Sequence, residues 1–156
     1  PILEVGCYYG KSTVLLAALG SLVYSVDPFN DFDDADLSGD SIHIAFLNTL
    51  TKYRIENVRL HRQRIEDWEP RPIGFAYLDG DHTYGGTRNQ LDKAIEAGAE
   101  SLCVHDYENR GGGIEVVIAI RHEPRVNLVA VTERMAYCTV IRRSDYADER
   151  TEPKSD

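Results

Sequence analysis

Four apolar, strand-like runs of this chain end in glycine, acidic or histidine residues. The first run leads into the segment Glu4–Ser12, and the second ends at Asp27. The fourth leads into Asp79-Gly-Asp-His82, and the fifth into His105-Asp106-Tyr107. Glycines permit tight turns and close ligand approach, carboxylates accept hydrogen bonds, and a histidine can take a proton. Ligands of open α/β sheets bind beyond the carboxyl ends of the strands, so the pattern indicates a site at one rim.

The turn after the first run carries two spaced glycines, Gly6 and Gly10. The spacing differs from the Gly-x-Gly-x-x-Gly of a dinucleotide fold. A P-loop is also disfavoured, because Val5 stands where its first glycine would have to be. Asp27 matches the place where an acidic side chain accepts hydrogen bonds from the two hydroxyls of a ribose. Together, the glycine turn and Asp27 favour an adenosine-containing ligand.

Short apolar runs alternate five times with segments of helical periodicity. Strands are predicted at Ile2–Val5, Leu22–Val26, Val58–Leu60, Ile73–Leu78 and Ser101–Val104, and two further β-rich runs, Val126–Thr132 and Ala136–Ile141, close as a hairpin. Such alternation is typical of a parallel sheet covered by helices on both faces. The sequence therefore predicts a single doubly wound α/β domain.

Local patterns also predict how two of the helices are built. Ser41 is a candidate cap for the second helix, because a serine side chain can accept a hydrogen bond from a free backbone amide. In the helix that follows the glycine cluster near residue 112, Ile114, Val117 and Ile118 are predicted to face inward.

The composition is that of an ordinary globular domain. The 156 residues carry 17 Lys+Arg against 26 Asp+Glu, a formal charge of −9, with 42% hydrophobic residues. Residues 1–51 hold one lysine and seven acids, and six aspartates fall between Asp27 and Asp40. This acidic stretch would repel a phosphate backbone and suits a cation better, so no nucleic-acid partner is expected. No apolar run approaches the ~20 residues of a membrane span, so no membrane partner is expected either.

The three cysteines indicate the cellular compartment, and the two chain ends indicate the domain boundaries. Cys7, Cys103 and Cys138 lie in or beside apolar runs, which indicates buried free thiols in a reducing cytoplasm. The chain opens directly on a strand, so we expect upstream elements to be missing. Residues 1–144 are predicted to form the domain, and residues 145–156 a polar tail.

Three motifs in order resemble those of class I S-adenosylmethionine-dependent methyltransferases. Ile2-Leu-Glu-Val-Gly-Cys-Tyr-Tyr-Gly-Lys-Ser12 is similar to the family's first motif, especially in the metal-dependent O-methyltransferase branch. Asp79-Gly-Asp-His-Thr-Tyr84 and His105-Asp-Tyr107 are similar to motifs of the macrocin-type sugar O-methyltransferases and their uncharacterised relatives. The resemblance spans Ile2 to Ile141 and implies a Rossmann-like, mostly parallel seven-stranded sheet with a C-terminal antiparallel hairpin.

The resemblance also implies where S-adenosylmethionine binds. Glu4 and the Gly6–Gly10 backbone would shape the methionine pocket, with Ser12 near the carboxylate of that methionine. Asp27 would hold the ribose hydroxyls. The cofactor-binding residues expected on this basis are Glu4, Gly6, Tyr8, Gly10, Ser12, Asp27, Pro28, Phe29, Gln63 and Asp79. Pro28, Phe29 and Gln63 are the ones placed at the adenine.

Metal-dependent members bind a divalent cation at the positions of Asp79 and Asp106. Oxygen ligands suit Mg²⁺, with Mn²⁺ or Ca²⁺ as other occupants. The catechol-type branch has Asp-Asn at the fifth strand, where this chain has Asp106-Tyr107. The third protein ligand is therefore open among Asp81, Glu108 and an aspartate of the 31–36 segment.

His82 resembles the general base of the sugar-methylating branch, whereas His105 would point to the opposite face of its strand. The function implied is methyl transfer to a hydroxyl of a small molecule by an enzyme that could form homo-oligomers. Two alternatives remain: a module that binds S-adenosylmethionine without activity, and a nucleotide-dependent oxidoreductase. The dinucleotide glycine spacing that the second would require is absent.

Overall fold

A computed structural model describes residues 1–30, 38–108 and 113–141. Seven strands form one sheet: β1 (Ile2–Val5), β2 (Val23–Val26), β3 (Val58–His61), β4 (Phe75–Leu78), β5 (Ser101–Val104), β6 (Val126–Thr132) and β7 (Met135–Val140). The helices are α1 (Lys11–Ala17), α2 (Gly39–Tyr53), α3 (Tyr84–Glu96) and α4 (Gly113–Arg121), with a 3₁₀ turn at Ile65–Asp67.

The sheet has the order β3-β2-β1-β4-β5-β7-β6. Strands β1 to β5 pair in parallel, and β7 runs antiparallel to both β5 and β6. This confirms the predicted doubly wound, Rossmann-like α/β fold with a C-terminal antiparallel hairpin.

Alternate residues of the central strand β1 point to opposite layers. Leu3 and Val5 belong to the main hydrophobic core, which Leu91 of α3 and Val116 of α4 complete. Ile2 instead joins a smaller cluster beneath α1. All four residues of β1 are buried, as expected for a strand covered on both faces.

The helix details differ from the sequence predictions. Helix α2 is capped by Ser38, whose side chain accepts a hydrogen bond from the backbone N–H of Ser41. In α4, Ile114 and Ile118 are exposed, whereas Val117 is buried as predicted. Helix α4 is apolar almost all round, so residue types alone could not show which stripe packs on the sheet.

All three cysteines are free thiols; Cys7 and Cys138 are buried and Cys103 is half-buried. Within the described ranges, no helix is both long enough and apolar enough to cross a membrane. The predicted tail and residues 31–37 of the acidic 27–40 stretch lie outside the described residues.

Candidate functional site

The carboxyl ends of the parallel strands lie in one row. Val5 pairs with Val26 on one side and with Leu78 on the other, and Leu78 pairs with Val104. The residues that follow these strand ends therefore meet along one edge of the sheet. The predicted cofactor and metal residues are at or near this edge because of that register.

The turn from β1 to α1 depends on the absence of side chains at two positions. Gly6 has a φ of 81°, and a Cβ atom there would lie 2.1 Å from the carbonyl oxygen of Asp79. Gly10 has the same φ and caps α1, where a Cβ would press on the ring of Phe46. The tight turn that the glycine pair predicted is present, and it packs directly against the end of β4.

Glu4 anchors this turn from inside the protein. Its carboxylate is fully buried and accepts hydrogen bonds of 2.7 Å from the hydroxyls of Ser12, Thr13 and Ser25. Burial raises the pKa of Glu4, and the three hydroxyl donors oppose that rise. Glu4 therefore joins β1 to α1 and β2, and the Ser12 hydroxyl is directed to Glu4.

Asp27 closes the turn from the neighbouring strand. Its Oδ2 accepts the backbone N–H of Tyr8 at 3.0 Å, and its Oδ1 accepts that of Phe29 at 2.7 Å. Each carboxylate oxygen has further acceptor capacity beyond one such bond. Asp27 is itself buried, so the glycine turn and the chain after β2 fold over it.

The three residues expected at the adenine differ in burial and in what surrounds them. The Phe29 ring is buried, 5.8 Å from the ring of Phe46, whereas Pro28 is half-buried. Gln63, just after β3, borders a cavity of about 190 Å³ whose lining residues are His61, Gln63, Asp67, Trp68, Glu69 and Arg71. This cavity is separate from Asp79 and Asp106.

The ends of β4 and β5 bring together two carboxylates and two imidazoles. His82 has Nε2 3.4 Å from Asp79 Oδ1 and Nδ1 3.2 Å from Asp106 Oδ2. His105 Nδ1 lies 3.2 Å from Asp79 Oδ1 and 3.3 Å from Asp106 Oδ1. Each imidazole therefore bridges the same two carboxylates.

The prediction that His105 points away from Asp106 is wrong. Strand β5 ends at Val104, so the alternation of side chains along a strand no longer applies at the next residue. Asp106 has a φ of 55°, which turns the chain and lets both side chains approach Asp79. The end of the apolar run at Val104 was the sequence signal for this.

One set of potential metal ligands is compact. Ligand atoms of Asp79, His82 and Asp106 all lie within 4.8 Å of one another, a spacing that a single divalent cation can bridge. Among the third ligands considered, Asp81 accepts the backbone N–H of Thr83 and Glu108 pairs with Arg134 at 2.9 Å. The 31–36 segment lies outside the described residues.

Charge at this cluster affects its titratable groups. The hydrogen bond to Asp79, with the charges of Asp106, Asp79 and Asp81, raises the pKa of His82 against the opposing effect of burial. Burial and the Asp79 carboxylate raise the pKa of Tyr77, whose hydroxyl lies 3.3 Å from Asp79 Oδ2. The cluster thus favours bound protons or cations.

Comparisons with known proteins identify the family of this chain. Residues 3–107 match the model of a family described as a methyltransferase domain. The chain belongs to this methyltransferase domain family. No curated protein matches it.

Solved structures share the fold of this methyltransferase domain at low sequence identity. An rRNA methylase from Streptococcus thermophilus is 16% identical, with a TM-score of 0.61 over 90% of this chain and 86% of that one. A protein from Streptococcus mutans classed as a methyltransferase, in complex with SAH, is 16% identical, with a TM-score of 0.62 over 90% and 88%. A SAM-dependent methyltransferase from Aquifex aeolicus is 14% identical, with a TM-score of 0.61 over 90% and 81%. At these identities the structural likeness shows the fold.

Proposed function

We propose that this methyltransferase domain, residues 1–144, transfers a methyl group from S-adenosylmethionine to a hydroxyl oxygen of a small molecule, assisted by a divalent cation. The observation that carries the proposal is the convergence of Asp79, His82 and Asp106 at the same sheet edge as the glycine turn. Methyl transfer mainly requires that two reactants are aligned and one proton is removed. The turn and the cluster offer one place for each task.

The cofactor supplies an electrophilic methyl group when it is bound, and we assign its place to the residues around the β1–α1 turn. Gly6 and Gly10 let this turn pack closely on the end of β4 and on Phe46, and Tyr8 and Ser12 border the turn. Asp27 retains acceptor capacity for the ribose hydroxyls. The rest of the proposed set is Glu4, Pro28, Phe29, Gln63 and Asp79, of which Glu4 and Phe29 act from within the packed interior.

The divalent cation, when bound, would polarise the hydroxyl groups of the acceptor and lower their pKa. Asp79 and Asp106 are the carboxylates that would hold it, with Mg²⁺ first and Mn²⁺ or Ca²⁺ as alternatives. The fit rests on the donor set itself, since the two carboxylates and His82 are already within bridging distance.

His82 is the proposed general base. Its ring nitrogens lie beside both carboxylates, and such neighbours stabilise the imidazolium that forms when the ring accepts a proton. His82 is partly exposed, which leaves the ring accessible from the edge where an acceptor would bind.

Charge favours a small acceptor over a nucleic acid. The chain carries a formal charge of −9, and its proposed site is lined by carboxylates, which repel a phosphate backbone. Two solved neighbours are described as rRNA methylases, yet at 16% identity that likeness concerns the fold. We also propose a cytoplasmic setting, which suits three free thiols.

The proposal is tested by transfer from methyl-labelled S-adenosylmethionine to a panel of sugars, catechols and other polyols, with RNA included for comparison. We expect label on a hydroxylated small molecule, loss of transfer with EDTA, and loss in Asp79→Asn and Asp106→Asn. Label on RNA alone would contradict the proposed acceptor class. Cofactor binding without transfer to any acceptor would favour the inactive binding module.

A further inference from the structure

Arg134 reaches the candidate metal cluster from a different part of the chain. It lies in the two-residue turn between β6 and β7, and its guanidinium forms ion pairs with Asp106 Oδ1 and, at 2.9 Å, with Glu108 Oε1. Strand β7 pairs directly with β5, which brings this turn to the end of β5. The main function proposed above does not use Arg134.

The turn is held at this place by its backbone. The Tyr107 N–H donates a 2.9 Å hydrogen bond to the Arg134 carbonyl oxygen, so the arginine backbone is joined to the residue after Asp106. The Arg134 side chain is 54% exposed, whereas that of Asp106 is 14% exposed. The guanidinium can therefore leave Asp106 by side-chain rotation, without any rearrangement of the hairpin.

A guanidinium and a metal ion are both cations, so the carboxylates of this cluster attract both of them. Asp106 is one of the two carboxylates assigned to the divalent cation, and its Oδ1 atom is inaccessible to solvent. A cation that approaches Asp106 while Arg134 is in place meets a like charge at close range, which is unfavourable at a partly buried site.

We propose that Arg134 is a resident counter-cation that competes with the divalent metal for Asp106 and so sets the metal affinity of the site. The inference rests on the metal site of the proposed function. In the metal-free protein the guanidinium neutralises Asp106, and metal binding requires its displacement toward Glu108 or solvent.

The test is Mn²⁺ binding, measured from the electron paramagnetic resonance signal of the free aquo ion in the presence of wild type or variants. Arg134→Gln removes the charge and keeps much of the side chain, and Arg134→Lys keeps the charge. Arg121→Gln, at the exposed far end of α4, removes an equivalent charge elsewhere. We expect Arg134→Gln to bind Mn²⁺ about tenfold more tightly, corresponding to about 1.4 kcal/mol. The other two variants should stay within about twofold of wild type.

The outcomes separate this inference from the function on which it rests. Equal or weaker Mn²⁺ binding by Arg134→Gln overturns the role of Arg134 and leaves the metal site intact. No Mn²⁺ binding by wild type or Arg134→Gln at millimolar concentration overturns the metal site, and the inference with it. SAH binding measured on the same samples then shows whether the cofactor site stands.

Discussion

Two imidazoles, those of His82 and His105, bridge the same pair of carboxylates at the ends of β4 and β5. Asp79 and Asp106 lie close enough together to repel each other, and a bound cation would relieve that repulsion. This cluster of two carboxylates and two imidazoles is therefore suited both to metal binding and to proton transfer. These two roles make distinct predictions for substitution of His82.

We expect His82→Ala to lower the kcat of methyl transfer by about 10²- to 10⁴-fold, because the acceptor hydroxyl would lose its base. The KM for S-adenosylmethionine should change little, since the β1–α1 turn that we assign to the cofactor follows a different strand from His82. His122→Ala, an exposed histidine whose ring contacts Tyr84, is the matched control and should retain activity. Full activity in His82→Ala would remove the base assignment, and a parallel loss of Mn²⁺ affinity would make His82 a ligand.

Gly6 carries the second prediction at the residue scale. We expect Gly6→Ala to destabilise the fold by about 4 kcal/mol or more, because the new Cβ would lie within the Asp79 carbonyl and φ is positive. Gly20 has a φ of 78° with no atom within 4 Å of a Cβ, so Gly20→Ala isolates the backbone cost. That cost should be about 1 to 2 kcal/mol.

Urea denaturation of both glycine variants measures this difference. Similar losses in Gly6→Ala and Gly20→Ala would show that the turn does not pack against the end of β4 as described. The β1–α1 turn and the strand that bears Asp79 would then be independent.

At the scale of elements, a buried carboxylate joins α3 to the connection between α4 and β6. Glu123 has a fully buried side chain that pairs with Arg88 of α3 at 2.6 Å and with Arg125 Nε at 2.6 Å. Hydrogen bonds from Arg125 lower the pKa of Glu123, and the charges of Arg125 and Arg88 add to this effect. Helices α3 and α4 both begin near the candidate site, so this network positions the elements around it.

We expect Glu123→Gln to lower the free energy of unfolding by about 1.5 to 3 kcal/mol at pH 7, since the charge-assisted hydrogen bonds from Arg88 and Arg125 to the buried carboxylate would be lost or weakened. The folded-state pKa of Glu123 is below its unfolded value, so its stabilisation is present above the unfolded pKa. The stabilisation is lost as the pH falls through the folded value. The difference between wild type and Glu123→Gln should therefore shrink in acid, as followed by urea denaturation across pH.

Glu56→Gln is the control for this series, because Glu56 is exposed on the surface. A difference between wild type and Glu123→Gln that is independent of pH would contradict an ionised Glu123 in the folded protein.

The strands of this domain could be predicted from the sequence much better than the packing of its helices. A buried parallel strand such as Ser101–Val104 is a continuous apolar run, and its end was correctly located. Helix α4 offers apolar residues on nearly every side, so the inward stripe depends on tertiary contacts. The cap of α2 is Ser38 because the helix begins earlier than its apolar repeat suggested.

The site was predictable where motifs follow strand ends and not where distant segments meet. Asp79, His82 and Asp106 follow two neighbouring strands, so their convergence could be expected. Arg134 reaches Asp106 because β7 inserts between β5 and β6, a pairing that linear spacing does not reveal.

At the scale of the whole molecule, the acidic residues that give the formal charge of −9 are unevenly distributed. Of the aspartates between residues 27 and 40, Asp27 is buried beneath the glycine turn and Asp40 pairs with Arg62. The carboxylates proposed to hold a cation, Asp79 and Asp106, come from the other half of the sheet. Cofactor and metal are thus assigned to adjacent parts of one edge.

Calorimetric titration with SAH tests the central claim, which is that this edge binds S-adenosylmethionine. We expect one SAH per chain with a Kd of about 1–100 μM. Binding by Asp27→Asn should be at least about tenfold weaker, because it removes the carboxylate that we propose accepts hydrogen bonds from the ribose hydroxyls. Circular dichroism checks that the variant is folded. No binding heat with wild type at high micromolar SAH, or equal affinity in folded Asp27→Asn, would contradict this account.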